Sequence, residues 1–572
     1  MTSGTRATRW LTSLWFVAWA AWSSAWCLSA STHLGATFDE PTYVAAGLDR
    51  WRGGGIGGLM RLGTMPLPVD AVSLPVWIAE RLRGHPARIA TDGRGHVVWS
   101  EDLDAVLPVA RTVTLAFWWV LLWMGGRIGG QLAGPWGSRA AIAFLAVEPS
   151  LLAHATLATT DVAATACLLA FAASIASPGR SPTMVPGVWF GLALLSKASA
   201  LVFAPLIAIA VWASQPGTRD WRSFLRRGAA IGAIGLGLTV VYCGSDWRTD
   251  QSFVKWASTL PPGNVATLVT RVSEHLPIFS NAGEGLVQQV KHEIRGHGTY
   301  LLGRAYDRSV WFYFPVLLVI KTTAALLLAL AALALTRRRA LANWALSAAG
   351  LMIVCSLAFR VQTGIRMILP LLTLLIIGTA VALVRVTGEL QSRARQRLMS
   401  VAVAGLLGWS LTASWRAWPD GLRFANELWG GSEHAYRWVS DSNYDWGQGL
   451  PDLRRWIASQ RRDPIDVWYW GTDPAILSGP WRAVDLRAVP LSAGDTAADI
   501  AHGRTLAVSA TLLYGSVGAE EIPVSRDEQP LQRAAAALRR RLRARRWIAR
   551  TGTFFIYDFP PDEPATIATP HR

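Results

Sequence analysis

MVPGVWFGLALLSKASALVFAPLIAIAVWAS, residues 184–214, is an almost unbroken apolar stretch with Ser-Lys-Ala-Ser at its centre. One helix of this length would run about 46 Å at 1.5 Å per residue, well beyond a hydrocarbon core of about 30 Å. Two shorter helices meeting near Lys197 fit better, with Pro205 inside the second. Charge decides the case. The loops TRDWRSFLRR (218–227), TRRRA (336–340) and RVTGELQSRARQR (385–397) are strongly basic, as are the N-terminus and the turn around Arg127 and Arg139. Two passages through 184–214 place all of them on the cytoplasmic side, where short basic loops belong. A single passage would put three of the most basic loops outside.

Outward from this segment, apolar runs lie at roughly 10–30, 106–126, 138–153, 158–177, 229–245, 310–335, 343–361, 365–384 and 399–417. With the double passage they predict a polytopic α-helical membrane protein of about eleven transmembrane helices. Its N-terminus would be cytoplasmic, its membrane the plasma (inner) membrane, and its loops 31–105 and 246–309 external. The composition agrees: 51% of the 572 residues are hydrophobic and only 16% charged. The first run follows Arg6 and Arg9, as a signal peptide would, but its length and its tryptophans favour an uncleaved first helix.

The net charge of +17 could suggest nucleic acid. Residues 419–572, however, hold as many Asp and Glu as Lys and Arg, so the basic excess sits in the membrane half. No nucleic-acid partner is expected. The four cysteines, Cys27, Cys167, Cys243 and Cys355, all fall in apolar runs without metal-site spacing. Residues 1–418 form the predicted membrane domain, and 419–572 a C-terminal external α/β domain. Strands are expected in DVWYWG, TLAVSATLLYG and TFFIYDF, and LQRAAAALRRRLRARRWIA reads as a basic helix facing solvent or anionic lipid. No internal repeat is visible.

Chemistry-bearing residues gather at the predicted outer boundary. Asp39 and Glu40 lie shortly after the first run, in THLGATFDEPTYVAAG (32–47), where they could equally cap a helix beginning at Pro41. Asp161 sits at the mouth of the fourth run, near His154, where an ionisable group is costly and often functional. Only four basic residues are Lys: Lys197, Lys255, Lys291 and Lys321. Lys197 occupies the turn between two helices, where it could meet a phosphate or reach the interface by snorkelling. Arg366 in VQTGIRMILP lies at an outer helix end, against the positive-inside tendency. Lys321, about ten residues into its run, is expected to snorkel. Two acids and two cations in one external cavity suit sugar transfer from a lipid phosphate. The cations would hold the phosphate, and a carboxylate would take the proton of the incoming hydroxyl.

FDEPTYVAAG, LLAHATLATTD, GLALLSKASAL, GHGTYLLG, WFYFPVLLVIKT, GIRMILP and FANELWGGSEHAYRWVSDSNYDWGQGL occur in that order over about residues 35–460. This ordered set resembles the phospholipid-carrier-dependent glycosyltransferases of the GT-C fold, glycosyltransferase family 39, which includes protein mannosyltransferases and aminoarabinose transferases. The resemblance implies an inverting transfer from a polyprenyl-phosphate sugar donor to a hydroxyl of a protein, lipid or glycan. It implies Asp39 as general base, Glu40 as its partner in orienting acceptor or sugar, and Asp161 as the second external acid. Lys197 and Arg366 match basic positions near the lipid phosphate. His154, His297, Tyr300 and Asp445 are further candidates for the substrate pocket, with Gln448 beside Asp445. Asp441 and Asn443 are expected to cap, and Trp446 to pack. No cofactor or metal is expected, although three carboxylates could attract a divalent ion. The family's His-Pro-Pro-like stretch is replaced here by GTMPLPVDAVSLPVW (63–77), so mannose does not follow.

The competing reading is a transporter or flippase of a lipid-linked saccharide, which would also use intramembrane cations. Transporters more often show inverted repeats and sites at the bilayer midplane. Here the acids cluster at one surface, and the external loops are long. A non-catalytic scaffold on the same fold is disfavoured by the retention of Asp39, Glu40 and Asp161.

Overall fold

The computed structural model describes residues 6–91, 97–179, 181–215, 220–249, 251–275, 277–460, 465–484, 505–516 and 529–559. Helix α1 (Arg6–Ser31) leads into the first long connection. That connection folds as α2 (Glu40–Trp51), α3 (Gly57–Arg61), α4 (Pro66–Arg83) and a ribbon of β1 (Ile89–Thr91) and β2 (Val97–Ser100). The apolar helices α5 (Leu103–Ala146), α6 (Pro149–Ala155), α7 (Asp161–Ala176), α8 (Met184–Ser196), α9 (Ala200–Ser214) and α10 (Trp221–Cys243) follow. The second connection holds α11 (Gln251–Ala257), α12 (Asn264–His275), α13 (Ser280–Arg295) and a ribbon of β3 (Thr299–Leu301) and β4 (Arg304–Tyr306). Then come α14 (Tyr313–Lys321), α15 (Ala324–Thr336), α16 (Trp344–Ser356), α17 (Leu369–Glu389) and α18 (Arg393–Ala417).

Among the described residues, four helical segments are long and apolar enough to cross a membrane: α5, α10, α18 and α17 with the turn before it. Helices α14 and α15 would together make a fifth. Helices α7, α8, α9 and α16 are apolar but shorter. The central segment is Ile365–Glu389, whose apolar window is 89% buried inside the protein; those of α10 and α18 are 17% buried. Large apolar side chains stand exposed on the outer helices, among them Trp10, Leu14, Trp123, Val241 and Leu335. That pattern suits a lipid surround rather than water.

Several boundaries differ from the sequence expectation. The 184–214 stretch does divide at Lys197, with α8 ending at Ser196 and α9 starting at Ala200. The run at 138–153 does not form one span. Within α5 the chain turns at Ala133–Gly134, where Gly134 takes φ +66° ahead of Pro135, and the returning limb stops at Ala146 before the short α6. The two limbs approach so closely that a Cβ on Gly129 would overlap the Gly137 carbonyl. The run at 310–335 is also broken: α14 and α15 meet at 112° across Thr322–Thr323.

Beyond α18, α19 (Leu450–Gln460) precedes a five-stranded sheet of β5 (Ile465–Trp468), β6 (Trp481–Ala483), β7 (Thr505–Ser509), β8 (Ala549–Arg550) and β9 (Phe554–Asp558). The strand order is β6-β5-β7-β9-β8; β5 runs parallel to β6 and β7, and β9 antiparallel to β7 and β8. TLAVSATLLYG is a strand only to Ser509 and continues as the short helix α20 (Ala510–Tyr514). The basic helix α21 (Gln529–Ala544) is not simply solvated. Arg539 and Arg543 donate from Nε to the carbonyls of Leu512 and Leu513, which fastens it to α20.

Candidate active site

The site starts with the loop between α1 and α2. Pro41 in the first turn of α2 supports the helix start, and Asp39 takes the N-cap position without capping it through its side chain. Its carboxylate is therefore free to turn elsewhere, and it accepts from Arg366 Nη1 at 2.7 Å. Arg366 comes from the single 3-10 turn (Ile365–Ile368) that opens the central helix α17. Its guanidinium carbon lies over the Trp446 ring, 4.2 Å from the centroid.

The second pair forms on the opposite sequence elements. Asp161 is the first residue of α7, and its side chain is fully buried. Lys197, in the break between α8 and α9, donates to Asp161 Oδ1 at 2.5 Å while Nζ also lies 3.8 Å from Met367 Sδ. Met367 follows Arg366, so the two pairs sit side by side. Arg366 accordingly feels the charges of both Asp39 and Asp161. His154 is buried, and the charges of Asp161, Arg366 and Lys197 act on it. Three buried atoms here have no hydrogen-bond partner among the described residues: Arg366 Nε, Asp161 Oδ2 and His154 Nδ1. Such atoms are costly unless a polar ligand or water satisfies them.

Glu40, expected to orient acceptor or sugar, is instead fully buried and forms a paired clamp with Arg111 of α5, at 2.8 Å from both Nε and Nη2. It also accepts from the Thr37 amide, the Thr37 hydroxyl and the Ala158 amide. Burial raises its carboxyl, but Arg111 and these donors outweigh that and hold it below the usual carboxylate range. Arg111 further donates to the carbonyls of Ser31, Leu34 and Gly35, closing the end of α1. Glu40 thus ties the Asp39 loop to the chain just before Asp161.

Asp445 and Gln448, expected near the substrate pocket, are likewise buried. Asp445 accepts from the Gly447 and Thr511 amides, and burial pushes its carboxyl up to about 7. Gln448 binds the Trp446 amide and the Asp420 carboxylate. Around them the first loop is laced to the C-terminal part: Gly35 and Phe38 amides donate to Gln448 and Trp446 carbonyls, and Phe38 stacks on Trp470. Tyr300 is buried, with its hydroxyl donating to the Arg437 carbonyl. His297 contacts His292 through their Nε2 atoms and reaches Arg366 only through its field. Lys321 does not snorkel. Its Nζ is buried on three carbonyls, those of Leu422, Phe424 and Asn443, at 2.7, 2.5 and 2.9 Å.

Two residues of the site escaped the sequence reading. Tyr43 lies one helical turn after Asp39 and donates to its Oδ2 at 3.4 Å; that i, i+4 spacing was a usable signal. Asp441, expected to cap, instead places its carboxylate within the fields of Arg366 and Asp39. A separate cleft of about 470 Å³, lined by Arg423, Glu433, Asp452, Arg455, Trp456 and Arg550, includes none of these side chains.

No protein-family model matches the chain, and no curated protein matches it. Among solved structures the chain is similar to ArnT from Cupriavidus metallidurans bound to undecaprenyl phosphate. That match has 14% identity and a TM-score of 0.46, and covers 95% of this chain and 97% of that one. It is also similar to the same protein in the apo state, at 13% identity and a TM-score of 0.46 over 96% and 98% of the two chains. A third likeness is to the archaeal oligosaccharyltransferase AglB from Archaeoglobus fulgidus in complex with an inhibitory peptide and a dolichol-phosphate. There the identity is 11% and the TM-score 0.42, over 97% of this chain and 75% of that one.

Proposed function

We propose that the chain is a membrane-embedded glycosyltransferase moving a sugar from a polyprenyl-phosphate donor to a hydroxyl-bearing acceptor on the outer face of the membrane. The observation that carries this reading is the meeting of two acid–cation pairs, Asp39–Arg366 and Asp161–Lys197, beside the start of the candidate span whose apolar window is 89% buried. A lone ion pair there would read as structural. Two adjacent pairs with unpaired buried polar atoms between helix ends make a place where a phosphate and a sugar can bind.

Arg366 and Lys197 hold the donor phosphate and stabilise the second negative charge it gains on leaving. The bond from the anomeric carbon to the phosphate oxygen breaks as the acceptor oxygen attacks from the opposite face, inverting the centre. Asp39 takes the hydroxyl proton, and Tyr43 keeps the carboxylate oriented. Asp161 holds Lys197 and offers Oδ2 to a sugar hydroxyl. Each carboxylate already faces a cation, an arrangement that repels a divalent ion. Transfer should therefore proceed unchanged in EDTA, and a chelator-sensitive rate would refute metal independence.

The broken helices at Lys197 and at Thr322–Thr323 favour one second reading, a transporter of the same lipid-linked saccharide. Purified protein in liposomes, given an isotopically labelled polyprenyl-phosphate sugar, separates the two. Release of sugar-free polyprenyl phosphate with a glycosylated acceptor supports transfer. Movement of intact donor between leaflets without bond cleavage would establish transport instead.

A further inference from the structure

The stretch SDSNYDWGQ (440–448) is the sequence motif that the reaction above leaves unused. In the structure its 3-10 turn, Asp441–Asn443, packs directly on the turn that carries Arg366. Asn443 Oδ1 accepts from the Ile365 amide at 2.9 Å, and the Ser442 hydroxyl donates to the Thr363 carbonyl. Asn443 is held in turn by Tyr313 and, through its carbonyl, by Lys321. On the other side the Asp441 amide donates to Thr511 Oγ1 at 3.0 Å, and Thr511 is fixed by Asp445. Asp441 itself adopts φ +55°, a left-handed conformation that Asp and Asn tolerate better than most residues. A strained, doubly anchored backbone thus places a third acid on the turn packed against the one that bears Arg366, whose guanidinium already serves Asp39.

We propose that Asp441 is a positioning residue that competes with the donor phosphate for Arg366, so that this loop sets donor affinity as a function of pH. The inference rests on the donor-phosphate role of Arg366 proposed above. While Asp441 is ionised, its carboxylate draws on the guanidinium and repels an entering phosphate. Once protonated it does neither, and Arg366 is released to the donor. Burial raises the Asp441 carboxyl to about 6, against the opposing pull of Arg366, so the change falls in the neutral range. The sign follows: donor binding is tighter below pH 6 and weakens as pH rises through it.

The groups facing Asp441 are Arg366, Asp39 and Tyr313. The neighbouring histidines do not confuse the window, because burial lowers both His292, to about 4, and His297. The probe should be a phosphodiester with one constant charge, because a phosphate monoester itself titrates near pH 6. Farnesyl methyl phosphate, titrated calorimetrically into the full-length protein in detergent, meets this need.

Wild-type protein is expected to bind the diester roughly tenfold more weakly at pH 7.5 than at pH 5.5. Asp441→Asn, isosteric and at ease with positive φ, is expected to bind equally at both values and at the tighter level. Asp441→Glu should retain a pH slope. A slope in Asp441→Asn equal to that of wild type, or a flat wild-type profile, overturns the inference. Unchanged thermal unfolding of Asp441→Asn excludes a folding explanation. No diester binding by wild type at any pH overturns the donor-site reading on which the inference rests.

Discussion

Asp39 and Glu40 are adjacent in sequence and opposite in circumstance. Asp39 keeps part of its surface open and reaches Arg366, whereas Glu40 is sealed and saturated with five donor atoms. Asp39→Asn should therefore lower transfer by about a hundredfold or more, the usual scale for losing a general base, with unchanged thermal unfolding. Glu40→Gln should do the reverse. It leaves Arg111 buried without its counter-charge, a change that typically costs roughly 3–5 kcal/mol, so the unfolding temperature should fall while surviving enzyme keeps near-normal KM. A Glu40→Gln protein that unfolds like wild type but does not turn over would return Glu40 to the chemistry. Nothing in the dipeptide distinguishes the two acids. The distinction depends on Arg111, which lies in an apolar run more than sixty residues later.

Among the elements, the breaks between helices matter more than the helices. Lys197, Arg366 and Asp161 all stand where a helix starts or stops, because only there can a charged side chain reach the site without lying along lipid. The turn 363–366 and the turn 441–443 are clasped through Gly364, at φ +140°, where an added Cβ would overlap Ser442 Oγ. Gly364→Ala should force the turns apart and reduce turnover about tenfold through misplacement of Arg366. Adding Ser442→Ala, which removes the clashing hydroxyl, should restore part of the loss. A fully active Gly364→Ala protein would show that the clasp does not position Arg366. The break at Lys197 was legible from length and a polar centre. The 112° bend at Thr322–Thr323 was not, because it depends on Lys321 turning inward to carbonyls at Leu422, Phe424 and Asn443.

At the scale of the molecule, the acids on the first connection, the start of α7 and the 441–443 turn must share one side of the membrane if they share a site. Leu428, 73% exposed, lies between α18 and that turn. Leu428→Cys should react with a membrane-impermeant maleimide added to intact cells, on the background of the four native cysteines. Labelling only after lysis would reverse the orientation and place the site on the cytoplasmic face. The C-terminal sheet is also part of the site's framework rather than an appendage. Its β7–α20 junction holds Asp441 through Thr511, and the loop at Thr472–Asp473 holds Phe38 and Ala36.

What the amino-acid order determined by itself was the set of apolar runs, the division at Lys197, the basic loops and the small group of acids and cations worth attention. These are properties of length, composition and local spacing, so they are readable along the chain. Only the tertiary structure decided which acid meets which cation. Asp39 and Arg366 are 327 residues apart and Asp161 and Lys197 are 36 apart, and their pairing depends on how helix ends are brought together. The same long-range packing seals Glu40 and Asp445 and sets the turn of Asp441 against the turn of Arg366. A buried carboxylate and a reactive one can carry the same local sequence, and they differ in what folds against them.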